Sequence, residues 1–149
     1  VKRRVAVTGL GLVTPLGNTV ETTWDAMLAG RSGAGPITRF DPTALPVKFA
    51  CEVKGFEPGL YLEKKEARRF DLFTQFAMGA AVQAMKSSCL EQGWSKVDPH
   101  RVGVIVGTGT GGLATFEENM RAYIEKGPSR VSPFFVPMFM ANVAAAAVS

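Results

Sequence analysis

With 149 residues, 46% hydrophobic and 20% charged, the chain has the length and composition of one ordinary globular domain. Its net charge of +4 is too small to argue for nucleic acid by itself. No window spans a membrane: the longest apolar stretch, residues 134–148, is short for a span and holds Pro137 and Asn142.

Arg4-Val5-Ala6-Val7-Thr8 is a short apolar run closed by Gly9 and predicts a buried strand. Residues 5–13 are broken by glycines and lack a cleavage region, so they are not expected to be a secretory signal. Val1 is not an initiator Met, so the amino end is expected to be processed or trimmed. Asn18 with Glu21 predicts a helix cap. Val20, Trp24, Met27 and Leu28 then share one helical face, and Gly30 ends the helix.

Residues 31–46 are rich in Gly, Pro and Ser and read as loop. Val47, Phe49, Cys51 and Val53 alternate with polar residues, which predicts a half-exposed strand with Cys51 facing the core. Residues 62–88 read as helical, with Gly79 and the polar-to-apolar change at Phe70 as weak points. From Phe70 on, the small residues Ala77, Ala80, Ala81 and Ala84 predict a buried, closely packed helix. Residues 102–106 predict a second buried strand, parallel to the first. Leu113, Phe116, Met120 and Ile124 carry a helical period stopped at Gly127-Pro128. Residues 134–148 read as an apolar helix that nothing terminates, as if a packing surface were missing. The order of elements is α/β.

Between a strand and a helix, Gly107-Thr108-Gly109-Thr110-Gly111-Gly112 matches G-x-G-x-x-G, a weak dinucleotide signal. The acidic residue at about the right distance, Glu125, falls within a helix rather than on a second strand, so a plain structural turn is the better reading. The two cysteines, Cys51 and Cys89, make no CxxC and no metal-ligand spacing, and a reduced state is favoured over a bridge. His100, the only histidine, sits in an Asp98-Pro99 turn as a solvated residue. Lys64, Lys65, Arg68 and Arg69 form the densest basic cluster. On a continuous helix they fill one arc of roughly 140°. No aromatics interleave it, which argues against nucleic acid.

The motifs Val7-Thr8-Gly9-Leu10-Gly11 with Pro15 and Gly17, Leu28-Ala29-Gly30-Arg31-Ser32-Gly33, Phe40-Asp41, the turn at 107–112 and Ser132-Pro133-Phe134-Phe135-Val136-Pro137 stand in one order over nearly the whole chain. Together they resemble the opening portion of the β-ketoacyl-[acyl-carrier-protein] synthases, condensing enzymes of the thiolase-like fold. The likeness is closest to the elongating synthases of the dissociated fatty acid pathway; polyketide ketosynthases are more distant.

The resemblance implies an incomplete amino-terminal half of that fold, residues 1–149 forming part of a ketosynthase domain. It implies a cytoplasmic homodimer that condenses acyl groups with malonyl-carrier and uses no metal or cofactor. The family's nucleophilic cysteine would follow about fifteen residues after Ser149, and its two histidines later still, so no catalytic residue is assigned here and the chain alone is expected to be inactive. Gly109, Thr110 and Gly111 resemble the acyl-pocket wall, and Phe135 a pocket phenylalanine near the subunit interface. Lys65, Arg68 and Arg69 match positions that dock the acidic acyl carrier protein, and Arg130 is expected to add to the same surface. Ordinary packing and a solvated helix face are the plain alternatives for these two sets.

Overall fold

A computed structural model describes residues 2–149. In chain order it contains α1 (Val20–Leu28), a two-residue antiparallel ladder of β1 (Gly35–Pro36) with β2 (Phe49–Ala50), α2 (Lys64–Ala67), α3 (Leu72–Ser88), α4 (Leu90–Gly93), α5 (Leu113–Lys126), α6 (Phe135–Phe139) and α7 (Val143–Val148). Short 3-10 turns lie at Pro58–Leu60, Trp94–Lys96, Pro99–Arg101 and Pro128–Arg130.

The longest helix, α3, carries α7, α4 and the amino-terminal segment, because its small residues let backbone approach. Gly9 and Gly11 lie against its main chain at Ala84 and Ala80, where a Cβ has no room. Gly79 faces Phe56 and Val13 in the same way. Phe56 in turn stacks on Tyr61 at 5.7 Å and meets Phe76 edge-on at 5.0 Å. α7 also packs on α3, and its Ala144 is completely buried.

The two buried strands expected at residues 4–8 and 102–106 are not formed. Neither run carries a ladder, and Val5 and Ile105 are 94% and 98% exposed. A β-branched run fits a pleated surface, but it becomes a strand only beside another backbone. Side chains take that place next to residues 10–12. Ser87 Oγ accepts from Leu10 N at 2.8 Å and donates to Leu10 O at 3.1 Å, and Gln83 Nε2 donates to Leu12 O at 3.1 Å. Among the described residues the only sheet is the β1–β2 ladder. That ladder is too short to bury one face of residues 47–53: Phe49 is largely exposed, and Cys51 is exposed rather than inward-facing.

The helices differ from expectation at their ends and faces. α1 is capped by Thr19 and Thr22 in a reciprocal box, not by Asn18 with Glu21. Asn18 instead donates to Lys54 O at 2.9 Å. Gly30, at φ 64°, follows the α1 end as predicted. The apolar faces read from the sequence are turned outward: Trp24, Met27 and Leu28 of α1 and Leu113 and Ile124 of α5 are exposed, while Thr23, Thr115 and Asn119 are buried.

Residues 62–88 split because the Asp71 carboxylate accepts from Phe73 N and starts α3 afresh. The basic arc is therefore broken. Lys64 and Lys65 lie on α2, Arg68 closes it, and Arg69 is in the turn beyond. Residues 134–148 split as well. Pro137 is tolerated in the first turn of α6, Met140 leaves the helical region at ψ 131°, and α7 finds its packing surface on α3.

The accessible surface is 11193 Å². A compact monomer of 15.9 kDa exposes about 7,400 Å². Among the described residues the buried hydrophobic ones are Ala26, Leu62 and Ala144, too few for an independent core. Purified alone, the 149-residue polypeptide is expected to bind an apolar dye and to unfold over a broad temperature interval. A sharp single calorimetric transition without dye binding contradicts this.

Glu52 supplies a local test. Its carboxylate accepts from Thr38 Oγ1 at 2.6 Å, from Thr38 N at 3.1 Å and from Arg39 N at 3.3 Å. The Thr38 hydroxyl, followed by its amide, holds the Glu52 carboxyl below the usual glutamate value. The stability this adds is present above the unfolded-state pKa and is lost as pH falls through the lower folded-state value. In a carbon-13 titration, Thr38→Val should move Glu52 upward; an unmoved midpoint would show that the Thr38 hydroxyl has no such effect.

Candidate functional site

The glycine-rich turn at 107–112 is fixed between two helices. Gly112 N donates to Phe139 O at 3.0 Å and Gly111 N to Thr108 Oγ1 at 3.2 Å. Gly111 has φ 68°, and a Cβ there would meet Phe139 O at 2.6 Å. Gly112 is buried, and its Cβ would lie 3.1 Å from Asp71 Oδ2. Both positions need glycine because the turn lies against the α6 backbone.

Asp71 is the buried charge at this junction. Its Oδ1 accepts from Phe73 N at 3.4 Å, while Oδ2 accepts from Thr115 N at 3.0 Å and Thr115 Oγ1 at 2.6 Å. One carboxylate thus serves the amino ends of both α3 and α5. Gly112, which precedes α5, offers no side-chain cap of its own. The arrangement weighs against a dinucleotide site, since a phosphate at the α5 amino end would meet a carboxylate already holding that amide.

From Thr115 the network continues. Asn119 Nδ2 donates to Thr115 O at 2.8 Å, and Asn119 Oδ1 accepts from Ser132 N at 2.8 Å. Ser132 Oγ accepts from Phe134 N at 3.1 Å. Phe135 then enters a cluster with Phe116 at 6.1 Å and Phe139 at 5.8 Å. Of the four acyl-pocket candidates, Gly111 and Phe135 are brought together at one short helix, α6. Thr110 and Gly109 are exposed.

Lys65, Arg68, Arg69 and Arg130 are exposed, and none forms an ion pair among the described residues. Arg69 places its guanidinium 5.3 Å from the centre of the Phe134 ring. Shallow open grooves border the same cluster, one of about 600 Å³ lined in part by Gly59, Lys64, Arg68 and Gln75. Arg130 lies on the Pro128–Arg130 turn, which packs against α5. A further open cleft of about 810 Å³, bounded by Thr8, Leu10, Glu21, Gln83 and Lys86, shares no lining residue with either candidate set.

Cys51 and Cys89 are exposed, and Cys89 sits in the left-handed region at φ 54°. His100 is exposed, and its backbone N–H is taken by Asp98 at 3.0 Å. Among the described residues no group of His, Cys, Asp and Glu could hold a metal ion, and no helix is long and apolar enough to cross a membrane.

Asp71, Thr115 and Asn119 carry no role in the sequence reading, and Ser132 enters it only within the motif at residues 132–137. A signal for Asp71 existed: an Asp directly before an apolar periodic run marks a helix start. Thr115 and Asn119 share a face at i and i+4, but only a partner carboxylate outside the helix gives that face meaning.

Comparison with known proteins agrees along the whole chain. The 3-oxoacyl-[acyl-carrier-protein] synthase 2 proteins of Coxiella burnetii and Vibrio cholerae are each 48% identical over 148 residues, covering 99% of this chain and 35% of the relative. That of Synechocystis is 45% identical over 143 residues, covering 96% and 34%. The chain therefore spans about a third of the length of the curated relatives it matches. The ishigamide ketosynthase/chain length factor superposes with a TM-score of 0.81 at 28% identity, over 99% of this chain and 36% of that one. A β-ketoacyl synthase from Burkholderia phymatum gives 0.75 at 22% identity, over 99% and 36%, a likeness of fold. Residues 2–149 match the family model for the β-ketoacyl synthase N-terminal domain. The chain belongs to the β-ketoacyl synthase family, and its α/β structure is an amino-terminal portion of the thiolase-like fold.

Proposed function

We propose that this chain is the amino-terminal part of a 3-oxoacyl-[acyl-carrier-protein] synthase of fatty acid biosynthesis. The observation that carries the reading is 45–48% identity over nearly the entire chain to relatives of that name. In the proposed reaction an acyl group is held as a thioester on a cysteine thiolate. Malonyl-carrier loses CO2, its carbanion attacks the acyl carbonyl, and the thiolate leaves as the 3-oxoacyl-carrier forms. The nucleophile and both histidines lie outside these 149 residues on this reading, so the chain alone does not condense.

Within the reaction this portion supplies recognition. Gly109, Thr110, Gly111 and Phe135 form part of the acyl-pocket wall, with Thr110 setting room for the chain end. Lys65, Arg68, Arg69 and Arg130 receive the acidic acyl carrier protein. Four exposed cations without ion-pair partners among the described residues support this, as does a solved structure of similar fold in which a type II polyketide acyl-carrier protein is in complex with its ketosynthase. A homodimer of the full-length protein is part of this reading. The protein works in the cytoplasm on this reading. A polyketide ketosynthase is the second reading, favoured by the likeness of fold to that polyketide ketosynthase and to the ishigamide protein. Identities of 24% and 28% to these two are well below those of the fatty acid relatives.

The test uses the full-length protein that carries this segment, with acyl-carrier and malonyl-carrier as substrates. Release of CO2 with formation of 3-oxoacyl-carrier is expected, and its absence refutes the reading. The Lys65→Glu, Arg68→Glu, Arg69→Glu variant should weaken carrier binding at least tenfold at low salt, with a smaller loss at high salt. Equal binding by variant and wild type removes the docking assignment.

A further inference from the structure

We infer that Asp71 is a positioning residue that holds the acyl-pocket turn in register with the carrier-docking arginines, acting through Thr115; the inference rests on the functional reading above. The contacts form a closed ring. Arg69 is two residues before Asp71 in the chain. Asp71 Oδ2 takes both donors of Thr115, at 3.0 and 2.6 Å. Asn119 carries the connection from Thr115 O to Ser132 N, each at 2.8 Å. Ser132 Oγ fixes Phe134 N, and the Phe134 ring returns to Arg69 at 5.3 Å.

Both candidate sets hang on this ring. The turn bearing Gly109, Thr110 and Gly111 ends three residues before Thr115, and the missing Cβ of Gly112 leaves its backbone close above Asp71 Oδ2. Phe135 follows Phe134 directly. The carboxylate is buried, and its 2.6 Å bond from the Thr115 hydroxyl is short and tolerates little displacement. A shift of Thr115 therefore moves the pocket wall relative to Arg68 and Arg69. A side chain kept only to cap α3 would not need to reach Thr115, because the bond to Phe73 N already does that.

The test is made in the full-length synthase with Thr115→Val, Thr115→Ser and Asp71→Asn. The readouts are kcat/KM for short and long acyl-carriers, KM for the carrier substrate, and Tm. Loss of the Thr115 hydroxyl should change the long-to-short ratio of kcat/KM by about fivefold and raise KM for the carrier substrate. Thr115→Ser, which keeps the hydroxyl, should restore both. Asp71→Asn should shift the ratio in the same direction as Thr115→Val. If Thr115→Val or Asp71→Asn lowers Tm but leaves ratio and KM at wild-type values, Asp71 is structural only and the inference is overturned. Should Thr115→Val fail to fold, the comparison of Asp71→Asn with wild type decides alone. Wild-type protein without condensation activity refutes the functional reading itself, a different result from active wild type with an unchanged ratio.

Discussion

A single buried carboxylate organises this chain. Asp71 caps its own helix and, 44 residues away in sequence, the amino end of α5. Hydrogen bonds to a charged group contribute about 1.5–3 kcal/mol each, and a buried charge without them costs more than it returns. That demand accounts for the inward face of Thr115 on α5. It also explains why the glycine-rich turn needs no phosphate: its following helix is already capped by the protein.

The second constraint is close approach. Gly9, Gly11 and Gly79 bring backbone or an aromatic ring within reach of the small face of α3. Ser87 and Gln83 then replace a strand partner, satisfying the main chain at Leu10 and Leu12. Carrier docking and acyl binding, in the proposed function, sit at the opposite end of the same helix, beside its Asp71 cap.

Much of the helical part of the fold was legible in the sequence, because Gly30, Gly127, the small residues of α3 and the apolar period of α5 act locally, though the breaks at Asp71 and Met140 were not. The family was legible too, from glycine and proline motifs whose spacing survives sequence change. The strands were not. A strand is a relation between two backbones, and residues 4–8 and 102–106 show only one side of it. Burial was misread for a related reason. Periodicity at Trp24 and Ile124 says that an apolar face exists, not that these 149 residues contain what covers it. The basic cluster was found as composition, but its break at Asp71 needed the three-dimensional cap.

The bonds between Ser87 and Leu10 span 77 residues, and those between Gln83 and Leu12 span 71. During synthesis the amino-terminal segment therefore emerges long before the helix that holds it. At cellular elongation speeds the delay for 77 residues is about 4–15 s. For that interval the main chain at Leu10 and Leu12 lacks the two side chains that satisfy it. Helix formation is microseconds fast once α3 exists, so the wait ends when Ser87 is made rather than when folding is complete. The placement of these two polar side chains near the end of α3 sets a clock on when the amino-terminal segment can be held.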